Sequence, residues 1–250
     1  MKISLVIPAY NEQSIIADTI QTVEKALIQL SPDYEIVVVD DGSQDDTAGE
    51  VERLQAKRPD SRLRLVSYQP NRGKGCAVRT GILEAQGDVI FCTDADLAYG
   101  VAVLAPMLQR LQRENADLVI GSRRLDHNGY RDYPPLRLLA SRCFGMVSFL
   151  ASGLPYDTQC GIKGYRREAG QAIFRRCRTD GFAYDFEVLL LASQLGFRVT
   201  QMPVRVIRHR DSKVNVLQDS LRILRDMVSI RSRLLREAKK GDGHEGENHP

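Results

Sequence analysis

Along the first half of the chain, short runs rich in β-branched residues alternate with longer amphipathic stretches: 2–7 then 12–30, 34–39 then 45–57, and 63–67 then 73–85. Short apolar runs followed by apolar stripes at helical spacing predict a mainly parallel sheet flanked by helices, an α/β fold. Residues 89–93 continue the pattern as a fourth strand, 101–113 as a helix and 117–120 as a fifth strand. After Gly121 the pattern changes to an arginine-rich loop (Arg123, Arg124, Arg131), a Tyr133-Pro134-Pro135 turn and an apolar helix over 136–152. This predicts an N-terminal half (1–122) and a second half (123–240) of one continuous domain. In the second half 162–165 and 198–207 read as strands, 182–195 as a buried helix and 214–239 as a long terminal helix. The polar, glycine-rich residues 241–250 are expected to be a disordered tail.

With 250 residues, 43% hydrophobic and 27% charged, the chain has apolar material for one sizeable core, which excludes a disordered or collagen-like protein. Its five cysteines are scattered and never fall in a C-x-x-C spacing. Neither a disulfide framework nor a zinc site is suggested, and the reducing cytosol is favoured. Residues 1–7 lead straight into a strand, so no secretory signal is expected. The apolar stretch 136–155 contains Arg137 and Arg142 and therefore fails the test for a spanning helix, leaving a buried or interfacial role.

The net charge of +3 is unevenly placed. Between Arg222 and Lys240 stand seven basic residues against Asp226 and Glu237, a local +5 that leaves −2 for the rest. Such a cluster suits an anionic lipid surface or is simply a solvated helix face.

The candidate chemistry lies where strands end. Asp94 and Asp96 flank Ala95 immediately after the apolar run 88–93, and residues two apart in an extended segment face the same way. Both carboxylates can therefore aim at one hard cation, Mg2+ or Mn2+, whose other ligands are phosphate oxygens and water. On its own a D-x-D tripeptide is also the mark of an ordinary acidic turn. Asp40 and Asp41 form a second pair after the apolar run 36–39, and Asp40 is the better placed to accept from a nucleobase or ribose, while Ser43 and Asp45 serve the turn and the next helix. Asn71-Arg72-Gly73-Lys74-Gly75 opens a helix with two glycines and two cations, a place where backbone N–H groups and charge could receive an anion, although the Walker A spacing is absent.

Val6-Ile7-Pro8-Ala9-Tyr10-Asn11-Glu12, Val39-Asp40-Asp41-Gly42-Ser43, Asn71 to Gly75, Asp94-Ala95-Asp96 and Gly121-Ser122-Arg123 occur in the order and spacing of the family 2 glycosyltransferases, which the chain resembles. Asp157-Thr158-Gln159-Cys160-Gly161, Phe182 to Glu187 and Asp211-Ser212-Lys213-Val214 are similar to the polyprenyl-phosphate branch, in particular the dolichyl-phosphate β-glucosyltransferases and, more distantly, the dolichyl-phosphate mannose synthases. The resemblance implies a GT-A nucleotide-diphospho-sugar transferase fold. It implies that Pro8, Ala9, Tyr10, Glu12 and Asp40 hold the nucleotide, that Lys74, Asp94 and Ala95 lie near ribose and pyrophosphate, and that Asp96 is the principal metal ligand, with Asp94 beside it. Arg123 would approach the phosphates, and Arg210 and Lys213 resemble a cationic loop that clasps acceptor phosphate or donor pyrophosphate. Where the mannose synthase branch has a metal-binding glutamine this chain has Ala98, which implies a thinner metal shell and agrees better with the glucosyl branch.

The implied reaction is inverting transfer of a hexose from a nucleotide diphosphate sugar, a UDP-sugar rather than a GDP-sugar, to a polyprenyl phosphate at the cytosolic membrane face. The expected partners are that donor, the lipid phosphate and the membrane surface, with no nucleic acid. A hydroxyl acceptor, as in many relatives of the family, would need a general base, for which Asp157 and Asp185 are the candidates. A non-catalytic nucleotide-sugar-binding protein is the remaining alternative, and Ala98 is its best support.

Overall fold

The computed structural model describes residues 1–58, 62–127, 153–158, 160–207 and 216–245. Its strands are β1 (Ile3–Ala9), β2 (Tyr34–Asp41), β3 (Leu63–Tyr68), β4 (Val89–Cys92), β5 (Leu118–Ser122), β6 (Lys163–Arg166) and β7 (Val199–Pro203). They form one sheet in the order β3-β2-β1-β4-β6-β5-β7. The four strands from β3 to β4 are mutually parallel, and β7 is parallel to β5. β6 runs antiparallel between β4 and β5, so the sheet is mainly parallel with one reversed strand. That strand, from the second half of the chain, stands inside the sheet begun by the first.

Helices α1 (Ile16–Leu30), α2 (Thr47–Lys57) and α4 (Leu104–Arg113) cover one face, while α3 (Lys74–Glu84), α5 (Arg167–Arg176), α6 (Tyr184–Gln194) and α7 (Val216–Glu245) cover the other. Alternation along each strand divides the core accordingly. Ile3, Leu5, Ile7, Ile36 and Val38 pack with α1 and α4, whereas Val6, Val37 and Val39 pack with α3. A central strand buried on both faces carries no polar side, which is why β1 and β2 read as nearly unbroken apolar runs.

Three expectations are corrected. The strand expected over 198–207 stops at Pro203, which has no N–H with which to continue the ladder. The terminal helix does not give way to a tail at 241 but runs to Glu245, because one or two glycines, at about 1 kcal/mol each, do not stop a propagating helix. α5 was not anticipated: its apolar positions are few (Ala169, Ile173, Phe174) among arginines, too short a stripe to stand out. The apolar segment 136–152 and the loop with Arg210 and Lys213 lie outside the described residues. Among the described residues no helix is long and apolar enough to cross a membrane.

At the strand ends opposite the candidate chemistry a buried carboxylate is held by several donors. Glu35, 4% exposed, accepts hydrogen bonds from Ser4 Oγ (2.6 Å) and the Gln86 amide (2.6 Å), with Arg64 at 3.3 Å and Lys2 at 3.6 Å. Burial alone would push its carboxyl up, but these donors and charges outweigh it and hold the group below the usual range. Glu35→Ala is expected to lower the unfolding free energy by about 3 kcal/mol at pH 7, measured by urea denaturation, since hydrogen bonds to a charged group contribute about 1.5–3 kcal/mol. A carboxyl depressed in the folded state contributes fully above the ordinary glutamate range and loses that contribution as pH falls through the depressed value. The gap between wild type and variant should therefore close on acidification.

Candidate active site

The parallel strands β1, β2 and β4 open their carboxyl ends on one edge of the sheet, where open α/β sheets bind ligands. Ala9 stands in register with Asp40, and Pro8 with Val39. Tyr10 follows, 38% exposed, and Asn11 turns the chain with a left-handed backbone (φ 55°). The Asn11 amide donates to Ser43 Oγ at 2.9 Å and the Glu12 amide to Thr47 Oγ1 at 2.8 Å, so the β1 and β2 loops are tied together. Asp45 accepts from the Thr47 amide at 3.0 Å but stands one residue ahead of the N-cap of α2, which is Asp46 rather than the expected Asp45.

The two acidic residues at the end of β2 are placed differently. Asp40, buried, accepts from the Ser43 amide (3.2 Å) and Ser67 Oγ (3.0 Å). Asp41 accepts from Tyr68 Oη (2.8 Å), Asn71 Nδ2 (2.9 Å) and the amides of Arg72 and Gly73 (2.9 Å each). Asp41 thus builds the loop that carries Lys74. Pairing alone did not reveal this role; the signal available was an acidic residue followed, after β3, by a loop rich in amide donors.

That loop corrects the expected anion cradle. The amides of Gly75 and Cys76 donate to the Asp180 carbonyl at 2.7 and 3.2 Å, while those of Arg72 and Gly73 are held by Asp41. A Cβ on Gly75 would stand 2.4 Å from the Thr179 carbonyl, so this close approach requires glycine. The 178–180 backbone is fixed in turn by Glu187, fully buried, which accepts from the Arg178 and Thr179 amides and is paired with Arg233 of α7. Internal acceptors therefore occupy these backbone donors, and the loop's charge is delivered by the Lys74 side chain.

The Lys74 ammonium lies 2.5 Å from Asp94 Oδ1. Burial works against its charge, but Asp94 and then Asp185 outweigh this and raise its pKa, so Lys74 is a fixed cation. Thr93 continues β4 by donating to the Val6 carbonyl (3.1 Å), and Thr19 Oγ1 of α1 pins the Ala95 carbonyl at 2.6 Å. Asp96 Oδ1 accepts from the Ala98 amide at 3.0 Å, and Leu97 beyond it is left-handed (φ 50°), an uncommon conformation for a branched side chain that turns the chain sharply after the second carboxylate. Burial, then the like charge of Asp94, lift the Asp96 carboxyl above its usual range, with Glu12 adding a smaller push in the same direction.

The segment leading into β6 supplies the other wall. A Cβ on Gly161 would meet Asp94 Oδ2 at 2.2 Å, so the backbone abuts that carboxylate directly. Nearby, Arg123 donates through Nε (3.0 Å) and Nη2 (2.9 Å) to the two oxygens of Asp157, which also accepts the Arg123 amide (3.0 Å). Burial would raise the Asp157 carboxyl, but Arg123 outweighs it and holds the group below the usual range. Asp185, at the start of α6, is buried and bonded to Lys163 at 2.5 Å; burial pushes its carboxyl up, with Lys163 and Lys74 partly offsetting. Lys163 is not singled out by the sequence, where its only signal is a lysine within an apolar strand, and Gly161 stands there only as the last residue of the motif from Asp157 to Gly161.

The donor set fits a hard divalent cation. It offers only oxygen, from two half-buried carboxylates on one short segment, whose surplus negative charge a cation relieves. Among the described residues no group of three or more His, Cys, Asp or Glu side chains converges, so phosphate oxygens and water are left to complete such a shell.

The sequence profile described as glycosyl transferase family 2 matches residues 4–174, well over half of the chain. The chain belongs to this family. A dolichyl-phosphate β-glucosyltransferase of Dictyostelium discoideum is 32% identical over 256 residues, covering 93% of this chain and 75% of that protein. The dolichyl-phosphate β-glucosyltransferase of Homo sapiens is 30% identical over 251 residues, 94% and 76% of the two chains. The family 2 fold recurs in crystal structures of glucosyl-3-phosphoglycerate synthase from Mycobacterium tuberculosis. Its UDP complex has TM-score 0.67 and 22% identity, covering 92% of this chain and 80% of that one. Its complex with Mn2+, UDP and phosphoglyceric acid has TM-score 0.67 and 21% identity, covering 92% and 78%.

Proposed function

We propose that this family 2 glycosyltransferase moves a hexose, glucose or a close relative, with inversion from a nucleoside diphosphate to a polyprenyl phosphate at the cytosolic face of a membrane. One observation carries the choice of acceptor: the two carboxylates considered as bases, Asp157 and Asp185, are each bonded to a buried cation, Arg123 and Lys163. A hydroxyl acceptor requires a base for its proton. A phosphate monoester, with a second pKa of about 6, is substantially ionised at neutral pH and attacks without one. The names of the Dictyostelium and human relatives support the same acceptor class and glucose as the sugar.

Asp96, together with the Asp94 oxygen not engaged by Lys74, would hold Mg2+ or Mn2+. When bound, such a cation supplies positive charge at the departing diphosphate. Asp40 accepts from the base or ribose, with Pro8, Ala9, Tyr10 and Glu12 forming the rest of the nucleotide wall. Lys74 and Arg123 add fixed charge where negative charge grows, and both are oriented in advance by carboxylates, so little reorganisation accompanies bond breaking. A UDP-sugar is the proposed donor in preference to a GDP-sugar, and Ala98 agrees with that glucosyl assignment. The exposed residues of α7 include Arg225, Val228, Arg231, Leu235 and Arg236, a mixture of basic and apolar groups suited to an anionic lipid surface.

Radiolabelled UDP-glucose, other UDP-sugars and GDP-mannose, each supplied with Mn2+ or Mg2+ and either dolichyl or undecaprenyl phosphate, test the reading. Organic-soluble label from a UDP-sugar is expected. No lipid-soluble sugar from any of these donors overturns it.

A further inference from the structure

Lys163 is a deeply buried cation beside the candidate site, and nothing in the proposed reaction uses it. Its side chain is 2% exposed, in the reversed strand β6, in register with Cys92 of β4 and Ile120 of β5. It therefore sits between the strand that leads to Asp94 and the strand that leads to Arg123. Its ammonium donates to Asp185 Oδ1 and to the Cys160 carbonyl, both at 2.5 Å. Burying an ammonium is costly unless it is paired and hydrogen-bonded, and a leucine or methionine would fill this interior position without that cost.

The two partners lead to one place. Gly161, next to the held Cys160 carbonyl, abuts Asp94 so closely that a Cβ would stand 2.2 Å from its carboxylate. Asp185 and Asp94 both act on the ammonium of Lys74. The four groups Asp94, Lys74, Asp185 and Lys163 make a charge-balanced set in which Lys74 is bonded to Asp94 and Lys163 to Asp185. Without Lys163, Asp185 would be left as the nearest uncompensated carboxylate to Lys74 and would compete with Asp94 for it, while the peptide that walls Asp94 would lose its anchor.

We propose that Lys163 is a positioning residue for the donor diphosphate and its cation: by fixing Asp185 and the Cys160–Gly161 peptide, it determines where Asp94 and Lys74 stand. The inference rests on the donor-site reading above. Groups that orient metal ligands from behind commonly contribute about 10–100-fold to affinity, which sets the expected effect.

The test is calorimetric binding of UDP with Mn2+, and of GDP with Mn2+ in parallel, to the full chain carrying Lys163→Met, at a temperature well below its melting point. Binding of UDP with Mn2+ is expected to weaken about 10-fold or more, with kcat falling further than KM rises in the transfer assay. Should Lys163→Met fail to fold, Lys163→Met/Asp185→Leu removes both charges, a replacement that buried pairs commonly tolerate, and the same weakening is expected because the Cys160 carbonyl stays untethered. Wild-type affinity in whichever of these variants folds would show that Lys163 only holds the fold, and would overturn the inference while leaving the donor site standing. Failure of the wild-type chain to bind either nucleotide with Mn2+ overturns the donor-site reading and this inference with it.

Discussion

Asp96→Ala is expected to remove at least about 10³-fold of the transfer rate while leaving the fold intact. A single preorganised electrostatic group aimed at developing charge is worth about 10²–10³ in kcat, and the principal ligand of a metal carries the metal's contribution as well. Stability should barely move. The substitution loses the hydrogen bond from the Ala98 amide, but it also removes a carboxylate that burial and Asp94 disfavour. Melting curves with and without Mn2+ and UDP separate the two effects, because a ligand that binds only the folded state raises its melting temperature. Wild type should be stabilised by Mn2+ with UDP, and the variant should not. A variant that keeps a tenth of the wild-type rate would remove Asp96 from the centre of the mechanism.

Arg123→Met is expected to cost both activity and stability. Asp157 and Arg123 have side chains 7% and 14% exposed and share two parallel hydrogen bonds. Removing one partner leaves a buried, uncompensated charge, an effect of about 3–5 kcal/mol. Replacing both, in Arg123→Met/Asp157→Leu, should recover most of that stability, since the pair's desolvation largely offsets its attraction. Transfer should remain at least about 10²-fold down in both variants, because the guanidinium is the group proposed to meet the diphosphate. Urea unfolding and the transfer assay give the two readings independently. A double variant that regains activity with its stability would assign Arg123 a purely structural part. An Arg123→Met protein as stable as wild type would mean that Asp157 finds another partner.

Together with Lys163→Met, these substitutions separate three distances from the chemistry. Asp96 is a proposed ligand, Arg123 a proposed contact to phosphate, and Lys163 a group that touches neither. The expected losses fall in that order, with the largest at the group nearest the developing charge.

Much of the proposed site is legible in the sequence. Asp94 and Asp96 were found because a strand of period two places alternate side chains together and because an apolar run ends just before them. Asp40 stands out for the same reason, as the first polar residue after the apolar run 36–39. Asp41, its neighbour, is given no role of its own by the sequence, because its partners at Tyr68, Asn71 and Gly73 lie about 30 residues away and nothing local announces them. The expected open anion cradle at 71–75 was a fair reading of glycines and cations, but Asp41 and the Asp180 carbonyl reach those amides first.

By itself, then, the sequence determined the alternation of strands and helices, the carboxylates at strand ends and the order of motifs that marks the family, because each depends on near neighbours and on the period of the backbone. Only the tertiary structure decided which charges pair. The reversed strand β6 enters between β4 and β5 from more than 40 residues further along the chain, bringing Gly161 against Asp94 and Lys163 between two working strands. Burial then makes each such pairing matter, since a charge removed from water must find its partner within the fold.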